Sequence, residues 1–179
     1  MIQAAYYTSP IGEILLAARE NALVGLWLAE QKYYLGSLKE PMEEKPDTQI
    51  LLAAKNWLDR YFSGAQPAIS ELNLAPSGSV FQKAVWAALC EIPYGELTTY
   101  GAISHKVAAQ LGKSQMSAQA VGGAVGHNPI SIIIPCHRVV GTNGSLTGYA
   151  GGIDKKIWLL RHEGADTERL FIPVKSTAP

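Results

Sequence analysis

The stretch at residues 128–140 constrains this chain more than any other part of the sequence. Isoleucine fills four of the five positions from 130 to 134, a β-branched run of the kind that fits a buried strand. Pro135 ends the predicted strand, because proline cannot donate a hydrogen bond to a sheet ladder. Cys136 and His137 follow at once, so a thiol and an imidazole are expected at the mouth of this strand.

The pair of Cys136 and His137 has two interpretations. A thiolate is a strong nucleophile, and a neighbouring base raises the fraction of the thiol that is ionised. Alternatively, Cys136 is a small buried hydrophobe, and adjacent side chains on a strand point to opposite faces. The pair alone leaves both interpretations open.

The length and composition exclude several classes of protein. A chain of 179 residues with 47% hydrophobic residues can form one domain or two small ones. It has no apolar run long enough to span a bilayer and no basic N-terminal segment, so we expect no membrane partner and no signal peptide. Two cysteines are too few for a disulfide framework, which favours a cytoplasmic location. The four histidines are scattered, so we expect no metal site.

The charge is unevenly distributed although the net charge is zero, a value that argues weakly against a nucleic-acid partner. Residues 1–76 contain six Lys and Arg against nine Asp and Glu, whereas residues 77–179 contain nine against six. The basic excess lies in the half that contains Cys136, which favours DNA only slightly.

The first half of the chain predicts a small α+β domain over residues 1–76. Alternating apolar positions and turn residues predict an antiparallel meander of three strands, at residues 4–8, 13–18 and 23–28. Residues 33–46 are charged and contain two prolines, so we expect a surface loop there.

A helix and a linker are expected after this loop. Asp47 or Thr48 can cap a helix over residues 49–62, and Gly64 can end it. Residues 67–78 have little periodicity and predict a linker. No pattern typical of a catalytic site occurs in this half.

The second half of the chain predicts mainly helices. Ser79 begins a capping box that starts a helix ending near Cys90, which we interpret as a structural residue. Thr98 or Thr99 can cap the next helix, over residues 100–111.

The following helix, over residues 117–126, contains three glycines, which helices disfavour. Small side chains permit the close approach of another backbone, either a protein helix or a DNA groove. The two consecutive helices resemble a helix-turn-helix, although the connection at residues 111–117 is longer than usual.

The last predicted helix covers residues 153–162 and is followed by Glu163. A carboxylate is unfavourable at the C-terminus of a helix. Either solvent screens Glu163, or it orients a histidine as the third member of a Cys-His-Glu relay.

These motifs together resemble the methylated-DNA–protein cysteine methyltransferase family, the O6-alkylguanine-DNA alkyltransferases. The resemblance is carried by Pro-Cys-His-Arg-Val at 135–139, Gly-Gly-Ala at 122–124, Asn-Pro at 128–129, Tyr-Ala-Gly-Gly at 149–152 and His-Glu-Gly at 162–164. It covers residues 79–164 in detail, and the first half only in general layout.

The resemblance implies an α+β fold of two domains. Residues 1–76 would form a small ribonuclease H-like scaffold, an antiparallel sheet with a helix. Residues 77–179 would form a mainly helical DNA-binding domain with a helix-turn-helix and the reactive cysteine loop.

The resemblance also implies DNA repair by direct reversal. Cys136 would accept the alkyl group of O6-methylguanine in double-stranded DNA irreversibly, with O4-methylthymine as a second candidate substrate. His137 would act as a base through a water, Glu163 would orient His137, and Asn128 would be a hinge. Tyr100 would help to rotate the nucleotide and assist the departing guanine. The protein would be a single-turnover methyltransferase and a monomer, with no cofactor and no obligatory protein partner.

The resemblance places the helix from residue 117 in the minor groove, against an extruded base. DNA-binding positions would be Ser117, Ala118, Gln119 and Gly122. Val139 and Tyr149 would line the pocket for the flipped base.

Three departures from the family pattern affect this interpretation. Gln119 stands where the family usually has an arginine, which predicts weaker and less salt-sensitive DNA binding. Ala150 replaces a common serine, so one hydroxyl contact to the guanine oxygen is missing. The segment at residues 102–117 is longer than in shorter members, which puts the helix-turn-helix geometry in question.

Two alternatives have different sequence requirements. A lesion-recognising relative that binds alkylguanine without transfer would lack the cysteine, which Cys136 argues against. A cysteine hydrolase or acyltransferase would need an oxyanion hole and turnover, and only the Cys-His pair supports it.

Overall fold

A computed structural model of the protein describes residues 1–174, and the chain divides into two compact units. The first unit contains Met1–Ser77 together with Pro129–Ile133. The second contains Gly78–Asn128 and, among the described residues, 134–174. No helix within the described residues has the length and apolar character needed to cross a membrane.

The first unit is a four-stranded sheet with one helix. The strands are β1 (Ile2–Ser9), β2 (Gly12–Arg19), β3 (Ala22–Leu28) and β4 (Met42–Glu44), in the order β3-β2-β1-β4. The first three form the predicted antiparallel meander. The helix α1 (Gln49–Phe62) buries Ile50, Leu51, Ala54, Trp57, Leu58 and Tyr61 on one face, as its periodicity predicted.

Two predictions in this unit are wrong in part. The expected surface loop at 33–46 contains β4, which pairs in parallel with β1 although its side chains are exposed. A strand with neither face buried has no alternating apolar residues, so the sequence gives no signal for β4. The predicted linker at 67–78 is also partly ordered, since Leu23 of β3 donates to Asn73 O and accepts from Ala75 N.

The isoleucine run at 130–134 is buried as predicted, but it is not a strand. Its only ladder contact within the described residues is made around Leu26, which donates to Pro129 O at 2.8 Å and accepts from Ser131 N at 3.1 Å. Ile132 then adopts a positive φ of 70°, a strained conformation for a β-branched residue. A short apolar run indicates burial, and it cannot distinguish a buried strand from a buried turn.

Within the described residues, the second unit contains four α-helices and a two-stranded ladder. The helices are α2 (Val80–Leu89), α3 (Tyr100–Gln110), α4 (Ala118–Gly126) and α5 (Ile153–His162). β5 (Thr98–Thr99) pairs in parallel with β6 (Val139–Val140). The first three helices pack together, and Trp86 Nε1 of α2 donates to Ala124 O of α4 at 2.9 Å.

The helix starts follow from capping residues that the sequence shows. Ser79 Oγ accepts from Gln82 N, and Gln82 Oε1 accepts from Ser79 N, which completes the predicted capping box. Thr99 caps α3 and Ser117 caps α4. These caps fix the N-terminal ends of α2, α3 and α4.

Candidate active site

Cys136 begins a turn of 3₁₀-helix at Cys136–Arg138, and its side chain is only 5% exposed. Its amide donates to Ile134 O at 2.8 Å. The amide nitrogen of Asn128 donates to the same carbonyl at 2.8 Å, and the Asn128 side chain also hydrogen-bonds the thiol. Asn128 therefore closes the buried loop at 129–133 and contacts the sulfur at its end.

Burial raises the pKa of the Cys136 thiol, whereas the hydrogen bond from Asn128 and the charge of Lys156 act to lower it. The resting sulfur is thus a neutral thiol, surrounded by groups that favour its ionised form.

His137 is fully buried and hydrogen-bonds Glu163 through its Nε2, at 2.7 Å from Glu163 Oε1. Burial lowers the pKa of His137, although the nearby Glu163 carboxylate acts to raise it. A neutral imidazole that donates from Nε2 has a free lone pair on Nδ1. That Nδ1 is buried and has no hydrogen-bond partner among the described residues. The geometry therefore leaves a proton acceptor in the core.

Glu163 is 6% exposed, so the interpretation that solvent screens this carboxylate is wrong. Arg138 donates to both of its oxygens, with Nε at 2.8 Å and Nη2 at 3.0 Å, and Gly95 N donates at 3.3 Å. Burial alone would raise the pKa of Glu163, but the hydrogen bonds and charges of His137 and Arg138 hold it well below its usual range. The carboxylate stays ionised and fixes the imidazole.

Arg138 is a site residue that sequence reasoning did not single out. Its Nη1 donates to Ile92 O at 2.6 Å, and its guanidinium lies 5.6 Å from the ring centre of Tyr94. A buried arginine requires a paired carboxylate. The position of Arg138 beside an apolar run was the signal that could have identified it.

Lys156 is the second residue that sequence reasoning missed. It is fully buried in α5, and its Nζ donates to Val139 O at 2.5 Å and to Thr147 O at 3.3 Å. Burial lowers the pKa of Lys156 to about 8, against the raising effect of Cys136. Its spacing from the buried Leu159 and Leu160 of the same helix is the sequence signal that places it on the core face.

Two tyrosines lie close enough to Cys136 for a thiolate there to raise their pKa values. Tyr100, the first residue of α3, donates its hydroxyl to Thr147 O at 2.9 Å. Burial, followed by the charge of Cys136, raises the pKa of Tyr100 to about 12. Tyr149 is buried, its hydroxyl has no hydrogen-bond partner among the described residues, and the same causes raise its pKa. Both phenols therefore stay protonated and can donate.

The predicted DNA-binding positions lie in two different environments. Ser117, Ala118 and Gln119 are exposed at the start of α4, where Ser117 Oγ accepts from Ala120 N as the cap. Gly122 is half-buried, and a Cβ there would lie 3.9 Å from Cδ1 of Tyr100. Gly122 thus brings the backbone of α4 against the tyrosine of the buried cluster.

Val139 is buried in β6, and its carbonyl oxygen accepts a hydrogen bond from Lys156 Nζ. Ala150 is half-buried beside Tyr149. Within residues 1–174 there is no group of three or more side chains that could hold a metal ion.

This architecture, with its buried Cys-His-Glu cluster, matches known proteins along nearly the whole chain. Residues 2–76 match the ribonuclease-like domain of 6-O-methylguanine DNA methyltransferase, and residues 80–165 match its DNA binding domain. The chain belongs to the 6-O-methylguanine DNA methyltransferase family, which confirms the resemblance and the α+β fold.

Named relatives and solved structures support the assignment. A methylated-DNA–protein-cysteine methyltransferase of Methanosarcina barkeri is 46% identical over 155 residues, which cover 87% of this chain and 92% of that protein. Another, of Haemophilus influenzae, is 39% identical over 158 residues, covering 88% and 84%. A crystal structure of Mycobacterium tuberculosis OGT in complex with DNA is 38% identical, with a TM-score of 0.77 and 94% of each chain covered.

Proposed function

We propose that the protein repairs double-stranded DNA by direct reversal, moving the methyl group of O6-methylguanine irreversibly onto Cys136. O4-methylthymine is the second candidate substrate. The observation that carries the proposal is the buried His137–Glu163 pair beside Cys136, with a free acceptor at His137 Nδ1. The two named relatives, both methylated-DNA–protein-cysteine methyltransferases, support the same chemistry.

The reaction is a single displacement. The proton of the Cys136 thiol passes through an intervening water to His137 Nδ1, and Glu163 stabilises the imidazolium that forms. The sulfur then attacks the methyl carbon, so that a C–S bond forms while the bond from carbon to O6 breaks. The bonding electrons leave with guanine, which takes up a proton. The product is a thioether, and the protein is consumed.

Three further groups assist this displacement. Asn128 and Lys156 stabilise the thiolate, since both act to lower the pKa of Cys136. Tyr100 keeps its proton and can donate it to the departing guanine.

The base reaches the thiol only after extrusion from the duplex. We propose that α4 enters the minor groove through Ser117, Ala118, Gln119 and Gly122. Val139 and Tyr149 then line the pocket for the flipped base. In this proposal residues 1–76 are the scaffold domain, and residues 77–179 are the DNA-binding alkyl-transfer domain.

A monomer without cofactor suffices for this chemistry, because one chain supplies every group named above. The two cysteines, both free thiols, agree with the proposed cytoplasmic location.

The test is intact-protein mass spectrometry after the protein is mixed with a duplex that contains one O6-methylguanine. We expect one methyl group on the wild type, mapped to the peptide with Cys136, and none on Cys136→Ala. Cys90→Ala is the matched control and should be methylated normally, because burial raises the pKa of Cys90 to about 11. An unmodified wild type that still binds the lesion would indicate a recognition protein and would contradict the proposal.

A further inference from the structure

The chain continues beyond the matched DNA binding domain, and this continuation pairs with the loop at residues 144–146. The match to the DNA binding domain ends at residue 165. Farther on, Phe171 O accepts from Leu146 N at 2.9 Å, and Phe171 N donates to Gly144 O at 3.1 Å. Phe171 thus pairs in parallel with Ser145. We call residues 166–172 the C-terminal clasp.

Gly144 fits this pairing in a way that other residues cannot. Its φ of +88° is a conformation that favours glycine, and a Cβ on it would overlap the carbonyl oxygen of Arg169. The clasp therefore approaches the loop more closely than any side chain at position 144 would allow.

Apolar packing reinforces the clasp. Leu170 packs against a buried cluster that contains Val140, Leu146, Leu160 and Ala165. Leu146 thus belongs to the cluster and also donates the hydrogen bond to Phe171, so the loop is held by its side chain and its backbone together.

The loop that the clasp holds leads directly into the candidate base pocket. Thr147 O, one residue after Leu146, accepts from both the Tyr100 hydroxyl and Lys156 Nζ. Tyr149 follows, buried within reach of the Cys136 charge. A shift at residues 144–146 would move these groups, whereas Cys136 and His137 are held by Asn128 and Glu163 instead.

We infer that the C-terminal clasp is a positioning element for the base-binding loop at 147–150, and that it sets how well the flipped methylated base is held for transfer. The inference rests on the proposed function. It assigns a role to a segment that follows the matched DNA binding domain, and it predicts that loosening the clasp slows transfer while the His137–Glu163 hydrogen bond stays in place.

The first test compares Gly144→Ala with Gly64→Ala in single-turnover methyl transfer from duplex DNA. Gly64 has a similar φ of +94° with open space around it, so both variants carry the same backbone strain and only the first disturbs the clasp. We expect Gly144→Ala to transfer about tenfold more slowly or worse, as small misplacements of substrate do, and Gly64→Ala to match the wild type. Binding to undamaged duplex should be unchanged in both.

The second test adds hydrogen exchange, a measurement that needs no activity, to distinguish a positioning role from simple stabilisation. Phe171→Pro removes the N–H that bonds Gly144 O, whereas Phe171→Ala removes the same exposed side chain and keeps that bond. We expect faster hydrogen exchange at the Leu146 amide in Phe171→Pro, wild-type exchange in Phe171→Ala, and slower transfer only in the former.

The outcomes separate the two proposals. A wild type that transfers no methyl group would refute the proposed function. A second outcome is that the wild type transfers the methyl group and that folded Gly144→Ala and Phe171→Pro transfer it at the wild-type rate, although both are less heat-stable. The clasp then only stabilises the fold, and the inference is wrong. Unchanged exchange at Leu146 in Phe171→Pro would overturn it as well.

Discussion

At the scale of single residues, the site is a set of buried charges that fix one another. Glu163 accepts from His137, Arg138 and Gly95, and removing any partner leaves the others uncompensated in a buried environment. Removing one member of a buried ion pair typically costs about 3–5 kcal/mol, whereas an exposed pair is worth about 1 kcal/mol or less. Glu163 and its partners therefore stabilise the fold as well as orient His137.

Replacing Glu163 by glutamine should destabilise the protein at pH 7 by about 3 kcal/mol and slow methyl transfer about 100-fold, since a general-base arrangement contributes at least that much. Because the folded pKa of Glu163 is depressed, its stabilisation is present above the unfolded pKa of about 4.3 and is lost as pH falls below it. Denaturant unfolding at pH 7 and pH 4 should therefore differ less in Glu163→Gln than in the wild type.

The control for this prediction is Glu91→Gln, which breaks an exposed ion pair with Lys106. It should cost less than about 1 kcal/mol and keep the acid dependence of the wild type. Equal acid profiles in Glu163→Gln and the wild type would contradict the assignment of the buried carboxylate.

Replacing Lys156 by methionine should raise the pKa of the Cys136 thiol further, because the thiolate loses a neighbouring cation. The pH profile of single-turnover transfer should therefore move to higher pH. Lys155→Met, on the same helix but not fully buried, should keep the wild-type profile. Identical profiles in all three proteins would exclude an electrostatic role for Lys156.

The sequence identifies some of the polar site residues and not others. Cys136, His137 and Glu163 stand out because a thiol beside an imidazole, and a carboxylate after a helix, break local expectations. Arg138 and Lys156 do not, since charged residues are usually exposed and only the tertiary fold supplies the partners that bury them. The signals that could have identified them are the core face of α5 for Lys156 and the apolar run before Pro135 for Arg138.

At the scale of elements, capped helices were predictable and the reactive stretch was not. The capping box at Ser79 and the caps at Thr99 and Ser117 are local interactions between neighbouring residues, so the sequence contains them fully. The conformation at residues 130–134 depends instead on pairing with Leu26 of β3, far away in the chain. β4 was missed for the same reason, since its partner is β1.

The element-scale prediction concerns α4. Gln119→Arg, on the exposed first turn, should tighten DNA binding and steepen the dependence of log K on log salt by about 1, because one more phosphate or groove contact releases counterions. Fluorescence anisotropy with an undamaged duplex over a salt series measures this. Gln110→Arg, at the exposed end of α3, adds the same charge outside the predicted DNA-binding positions. An equal slope change in both variants would argue against α4 as the DNA-binding helix.

At the scale of the whole molecule, two units divide the chain, and the buried loop Pro129–Ile133 belongs to the first while Asn128 and Ile134 belong to the second. The Asn128 side chain donates a hydrogen bond to Ile134 O and so ties together the two ends of the loop, two residues before Cys136. Cys136 thus follows directly on a segment that the chain lends to the first unit, and local sequence patterns do not predict such a segment.

The whole-molecule prediction is the stoichiometry of repair. A thioether offers no route back to the thiol, so titration with methylated duplex should stop at one methyl group per chain, with no slow turnover afterwards. Mass spectrometry of the protein and chromatography of the DNA bases measure both sides of this balance. Continued repair beyond one equivalent would favour a turnover enzyme such as a cysteine hydrolase.

A molecule that can react only once must also survive until it is needed. Oxidants and small electrophiles attack accessible thiolates, and a sulfur consumed in this way is lost to repair. Cys136 is 5% exposed and burial raises the pKa of its thiol, so the sulfur stays dormant in the free protein. Under the proposed function, the burial that disfavours ionisation also protects the thiol from oxidants until an alkylated base enters the site.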